Sequence, residues 1–136
     1  MSAFTASEIS YLNSQRLGRL ATVGADGQPH VVPVGFRYNP DEDAIEIGGH
    51  SGFARRKKYR DVSHNPRVAF VVDDVVSVNP WRVRGLEIRG HAEVLATGGE
   101  ALAAGLDPEM FRIRARRVVS WGIDSDMVSL RARSVP

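Results

Sequence analysis

The chain has 136 residues, 43% of them hydrophobic, with a formal net charge of +2 and no cysteine. That length fits a single domain over 1–136 with a sizeable core, and the missing cysteines exclude a disulfide framework. The near-balanced charge argues against a nucleic-acid coat, and no apolar run approaches the roughly 20 residues of a membrane span; with no signal-peptide pattern at the N-terminus, a cytoplasmic protein is expected.

Thr5-Ala6-Ser7-Glu8 has the capping-box pattern and, with Ile9 and Leu12, predicts a short helix over 5–14. Residues 17–23 read as a strand, and Asp26-Gly27 as a hairpin turn. The partner strand spans 30–38, with Val32, Val34 and Phe36 on one face and Val31, Pro33, Gly35 and Arg37 on the other. After the turn Asn39-Pro40-Asp41 comes a third strand, 44–47, then a basic segment to about residue 63 that reads as a helix ended by His64-Asn65-Pro66. Residues 67–72 form a strand stopped by Asp73-Asp74. In 86–94, Leu86, Ile88, Ala92 and Val94 share a face. Gly98-Gly99 breaks the pattern, and a helical patch over 100–104 follows. A strand over 113–123 should alternate through Ile113, Ala115, Val119, Trp121 and Ile123, interrupted by Arg117, and 127–133 should pair back with it. Six or seven strands on short connections predict a mainly β fold, an antiparallel barrel with short helices, because βαβ crossovers need longer links.

The segment Gly48-Gly49-His50-Ser51-Gly52-Phe53 and the five cations among residues 55–60 carry the functional signal. Glycines let backbone approach a ligand, a serine can cap a helix start, and free helix N–H groups attract anions. Arginine and lysine at such a place suit a phosphate, although a charge run also makes a solvated helix face. Pro33 within a strand belongs to an edge or bulge; with Gly35 it either leaves backbone for a flat ring or is a plain edge proline. His30, His50, His64 and His91 lack metal-ligand spacing, so no metal is expected. Nucleophile-elbow, Walker and dinucleotide fingerprints are missing. An enzyme of this kind leaves its chemistry to a cofactor.

The ordered series Leu17-Gly18-Arg19-Leu20-Ala21-Thr22-Val23, Asp26-Gly27-Gln28-Pro29-His30-Val31-Val32-Pro33-Val34, the basic segment, Asn65-Pro66-Arg67-Val68 and Arg89-Gly90-His91-Ala92-Glu93-Val94 resembles the pyridoxamine 5′-phosphate oxidase-like split β-barrel superfamily. Within it, the chain looks most like the actinobacterial F420-dependent oxidoreductases. The resemblance covers about 8–130. It implies a homodimer with two cofactor sites at the subunit interface. The phosphate end falls to Arg56 and Lys58, with Arg55, Lys57 and Arg60 in support; the ring lies on Pro33, Val34 and Gly35; Gly48 and Gly49 approach the cofactor; Trp81 and Trp121 line the pocket or pack the core and interface. The chain has no counterpart of the C-terminal substrate segment of authentic oxidases, so vitamin B6 oxidation is not expected. Five cations suit the long anionic tail of F420 better than the single phosphate of FMN. The expected activity is hydride transfer from reduced deazaflavin to a conjugated double bond of a small organic molecule, an enone or quinone, conceivably polycyclic. The alternatives are an FMN-binding oxidase or flavin reductase, and a non-catalytic F420 carrier. The proton donor stays open among solvent, His30, Tyr38 and His50.

Overall fold

The capping box forms as read: the Thr5 hydroxyl accepts from the Glu8 N–H at 3.1 Å, and the Glu8 carboxylate accepts from the Thr5 N–H at 2.9 Å. It starts α1 (Ala6–Ser14) in a computed structural model that describes residues 1–124 and 130–136. Next come β1 (Leu17–Val23) and β2 (Pro29–Gly35), antiparallel, with Leu17 opposite Gly35 and Val23 opposite Pro29.

The single strand expected over 30–38 is two strands. β1 begins at Leu17, so the ladder ends opposite Gly35. Phe36 turns its ring edge-on to Phe70 at 5.2 Å, and β3 (Arg37–Asn39) pairs instead with β4 (Ala44–Gly48). The basic segment is likewise split. A 3-10 turn, Phe53–Arg55, precedes α2 (Lys57–His64), with Arg56 extended between them.

β5 (Arg67–Ser77) and β6 (Arg82–Leu95) run past the acidic pair expected to stop the strand. Asp73 and Asp74 are cross-strand partners, the first of Arg19 at 2.9 Å and the second of Arg84 at 2.8 Å. The expected helical patch is a shorter 3-10 turn, Gly99–Ala101. In β7 (Met110–Trp121) the predicted face switches midway. Arg89 lies opposite Arg117 but Gly90 lies opposite Ala115, leaving Arg116 as an unpaired extra residue. This bulge reverses the alternation: Val118 and Ser120 turn inward, and Val119 and Trp121 turn outward. β8 (Leu130–Ser134) pairs back with β7 as the hairpin reading expected, with Leu130 opposite Trp121. The start of that predicted segment, including Met127, lies outside the described residues.

The antiparallel sheet has the order β2-β1-β5-β6-β7-β4-β3, and β8 joins β7 beside its second half while β4 borders the first. The sheet curls until β2 approaches β4, a half-open barrel of the kind expected. Leu20, Ile45, Ile47, Phe70, Val72, Leu86, Ile88, Phe111 and Ile113 fill it, each at most 1% exposed. Each such side chain stabilises the fold by about 1.5–3 kcal/mol relative to exposure. α1 closes one end with Tyr11 and Leu12; Phe53 and Val62 close the other. Buried Glu8 also takes Arg133 of β8, whose Nη1 donates at 3.1 Å, so one carboxylate ties the first helix to the last strand.

Candidate functional site

The loop after β4 is shaped by its own packing. A Cβ on Gly49 would lie 2.3 Å from the Phe53 ring, so only glycine lets that ring tuck beneath the loop. Phe53 is 1% exposed and rests edge-on to Tyr59 at 5.4 Å and against Phe111 at 5.0 Å. Ser51 at φ +58° and Gly52 at φ +90° make the left-handed turn this requires. Asp107 holds both stems of the loop. Its carboxylate accepts from the N–H groups of Gly52 at 3.0 Å and Phe53 at 2.8 Å, and its own N–H donates to the Gly49 carbonyl at 2.8 Å. The expected serine cap does not form, because Ser51 is used in the turn. α2 starts after Arg56, which supplies no capping side chain, and its first amides lack a side-chain acceptor there.

A cavity of about 600 Å³ lies between this loop, the end of β2, β3 and the turn over 99–107. It brings together Pro33, Val34, Gly35, Gly48, Gly49, Arg56 and Lys58 of the residues picked from the sequence. β2 is an edge strand, as Pro33 requires. A Cβ built on Gly35 meets nothing nearer than the Arg16 carbonyl at 3.9 Å, so the floor beside Pro33 is open. Gly48 is tighter: a Cβ there would press on Leu106 at 3.0 Å and Leu102 at 3.2 Å, which line the same cavity.

Arg55, Lys57, Arg60 and Trp81 lie outside this cavity. The Arg55 guanidinium folds back over Gly52. Lys57 pairs with Asp61 at 3.2 Å, and Asp61 in turn accepts from the Thr22 hydroxyl at 2.8 Å. Arg60 is exposed on α2. Trp81, 63% exposed, sits in the β5–β6 turn, and Trp121 covers Gly85 on the outer face.

Sequence reading missed Arg16, Arg37, Glu46, Leu102, Ala103 and Leu106, which also line the cavity. Glu46 is 1% exposed and fully engaged. It accepts from Arg37 at 2.7 Å, Asn39 at 3.0 Å and Arg112 at 2.9 Å. Burial pushes its carboxyl up, but these three donors outweigh that and hold it below the usual carboxylate range. The lining therefore presents four cations, Arg16, Arg37, Arg56 and Lys58, against one carboxylate that is already neutralised. Burial first, and then Arg56, lower the Lys58 ammonium from its ordinary value. Lys58 sits 5.5 Å over the Phe53 ring and has no carboxylate partner among the described residues. Two like cations held this close in a cavity of ligand size favour a small anionic guest.

Of the three possible side-chain donors, only His50 lines the cavity. The Tyr38 hydroxyl donates to Asp43 at 2.6 Å, and its burial and that bond raise its pKa. His30 lies on β2 outside the cavity, close enough to Asp61 to act on its charge. Among the described residues no group of three His, Cys, Asp or Glu side chains is placed to hold a metal ion.

Comparison with known proteins bears on the family and the fold. The family profile of pyridoxamine 5′-phosphate oxidase matches residues 7–135. A 5a,11a-dehydrotetracycline/5a,11a-dehydrooxytetracycline reductase of Streptomyces rimosus is 47% identical over 133 residues, covering 97% of this chain and 93% of that protein. Among solved structures, a conserved hypothetical protein of Mycobacterium tuberculosis superposes with a TM-score of 0.68 at 24% identity, over 88% of this chain and 86% of the other. A FAD-binding protein of Mesorhizobium loti gives 0.62 at 25% identity, over 86% and 93%. The curled antiparallel sheet, the profile match along nearly its whole length and the Streptomyces relative place this chain in the pyridoxamine 5′-phosphate oxidase family.

Proposed function

We propose that the protein is a reductase that uses a phosphorylated flavin-class cofactor, F420 in preference to FMN, to saturate a conjugated carbon–carbon double bond in a polycyclic substrate. The observation that carries this reading is the four-cation cavity beside the open Pro33–Gly35 floor. Arg56 and Lys58 bind the phosphate, and Pro33, Val34 and Gly35 support the ring. Leu102 and Leu106 keep water from the opposite side. The bound reduced cofactor supplies a hydride; the chain supplies binding, orientation and exclusion of water. F420 is favoured because the four lining cations exceed what one phosphate needs. The Streptomyces reductase supports a multi-ring substrate.

The reading includes a homodimer. The outward face of β1, β2 and β8 exposes Leu17 at 55%, Val31 at 65% and Leu130 at 70%, and the ion pairs Arg19–Asp73 and Arg89–Glu87 lie on β1 and on the strands between. Exposed apolar side chains of this size suit a second copy. Pro33 and Gly35 belong to that face, so the partner would border the cavity. Trp81 reaches a cofactor only from across such an interface.

The test is turnover. Purified protein given reduced F420 or reduced FMN is assayed for loss of 5a,11a-dehydrotetracycline absorbance. Turnover with reduced F420 supports the reading. Turnover with reduced FMN alone moves the cofactor assignment to FMN, and cofactor binding without turnover in either case leaves a carrier.

A further inference from the structure

Resting on that reading, we infer that His50 is the general acid that completes the reduction. The structure treats this residue unusually. Its loop reverses through Ser51 at φ +58°, a left-handed conformation uncommon outside glycine. Both stems of the loop, Gly49 on one side and Gly52–Phe53 on the other, are held by the single residue Asp107. His50 is thus carried at a fixed tip rather than on a free loop, and strain kept in place by such bonds is commonly tied to function. His50 lines the cavity, and its Nδ1 lies 3.3 Å from the Ser51 hydroxyl, so Nε2 is the nitrogen left to donate.

The other charged groups around it are unsuited to the task. Arg16, Arg37 and Arg56 hold their protons too tightly to give them up. The Glu46 carboxyl is ionised within its three-donor nest. Lys58 faces the anion with Arg56, and the Asp107 carboxylate is spent on two amides. Leu102, Ala103 and Leu106 add no proton from the opposite wall. Imidazole is the side chain whose ordinary titration spans neutrality, and it is exposed enough here to be recharged from water.

The step balances as follows. A hydride from the reduced flavin-class cofactor forms a C–H bond at the carbon β to a carbonyl, and the π pair of the double bond moves onto the carbonyl oxygen as an enolate. The His50 Nε2–H bond breaks, its proton goes to the enolate, and neutral imidazole regains a proton from solvent. The substrate gains one hydride and one proton, and the cofactor loses two electrons.

The test compares the parent with His50→Ala and His50→Gln, using F420 and 5a,11a-dehydrotetracycline. The expected result is a fall in kcat of about 100-fold, the scale of general acid catalysis. KM, F420 affinity by fluorescence quenching and melting temperature should stay close to the parent's. Affinity of the cofactor-free protein for the dehydrotetracycline, read by absorbance titration, should hold within about threefold, a contact-sized effect. The decline of kcat towards alkaline pH should vanish, and added imidazole should restore His50→Ala. Parent-like kcat with an unchanged pH profile overturns the proposal. So does a loss of kcat that follows lost F420 affinity or melting temperature in both variants without imidazole rescue, since that marks a structural residue. If the parent itself turns over nothing, the reductase reading fails and takes this step with it, an outcome separable from failure of His50 alone.

Discussion

Replacing Lys58 by Ala separates binding from stability, because its two roles differ in size. In the free protein the ammonium sits over the Phe53 ring at 5.5 Å, with no carboxylate partner among the described residues, a contact worth about 0.5–1 kcal/mol. Against that stands its repulsion by Arg56, which contributes to lowering its pKa. The two terms oppose each other and the contact itself is small, so the melting temperature should move by no more than a few degrees. The phosphate contact is charge-assisted and is worth about 1–3 kcal/mol, a roughly 5- to 150-fold loss of cofactor affinity. A second signature follows from linkage. Binding an anion raises the Lys58 pKa above its lowered free-protein value, so binding takes up a proton. Affinity is therefore full below the free-protein pKa and declines as pH rises through it, beginning below the usual lysine range near 10.4. The assay is F420 fluorescence quenching from neutral to alkaline pH, beside thermal unfolding, with Lys57→Ala as the control because Lys57 is committed to Asp61. Unchanged affinity in Lys58→Ala for both F420 and FMN, or a collapse of melting temperature with no ligand present, would refute the reasoning.

Glu8→Gln should keep the helix cap but break the buried pair with Arg133, costing about 3 kcal/mol and roughly 10 °C of melting temperature. Burial alone would push the Glu8 carboxyl up, but Arg133, the Thr5 N–H and Ser120 bring it below its ordinary value. Its stabilisation is thus complete above the unfolded value near 4.3 and lost as pH falls through the lower folded one. Acid titration of unfolding should be steeper in the parent than in the variant; parallel curves would contradict this. Val31→Asp, on the exposed face of β2, should convert a dimer to monomers in analytical ultracentrifugation with little change in secondary structure, whereas an unaltered mass would remove this face from the interface.

What could be read from the sequence was local. The Thr5–Glu8 cap depends on residues three apart, and the inward Val32 and Val34 on a two-residue period. Pro33 announced an edge strand or a bulge because its missing N–H cannot serve a central ladder. The β7 bulge was visible only as an arginine in the wrong phase, and the sequence put it at Arg117 where the unpaired residue is Arg116. The break at Phe36 depends on where β1 begins, which no residue near 36 encodes. In the site, Arg56 and Lys58 stood out as charge, but their neighbours Arg55, Lys57 and Arg60 carry the same charge and point elsewhere. Which ones face the cavity depends on the 3-10 turn that Phe53 forces. Asp107 lies 55 residues from the Gly52 N–H it accepts, and Arg37 and Glu46 look like ordinary strand charges until the sheet curls. The four-cation lining is a product of tertiary structure.

The most direct measurement is equilibrium binding of F420 and FMN to the same cofactor-free protein at two salt concentrations. The account predicts quenching of F420 fluorescence at micromolar protein, weaker FMN binding, and an F420 affinity that falls with added salt as charge at the cavity is screened. Tight FMN binding with no response to F420 would contradict the cofactor assignment, and no binding of either would contradict the site itself.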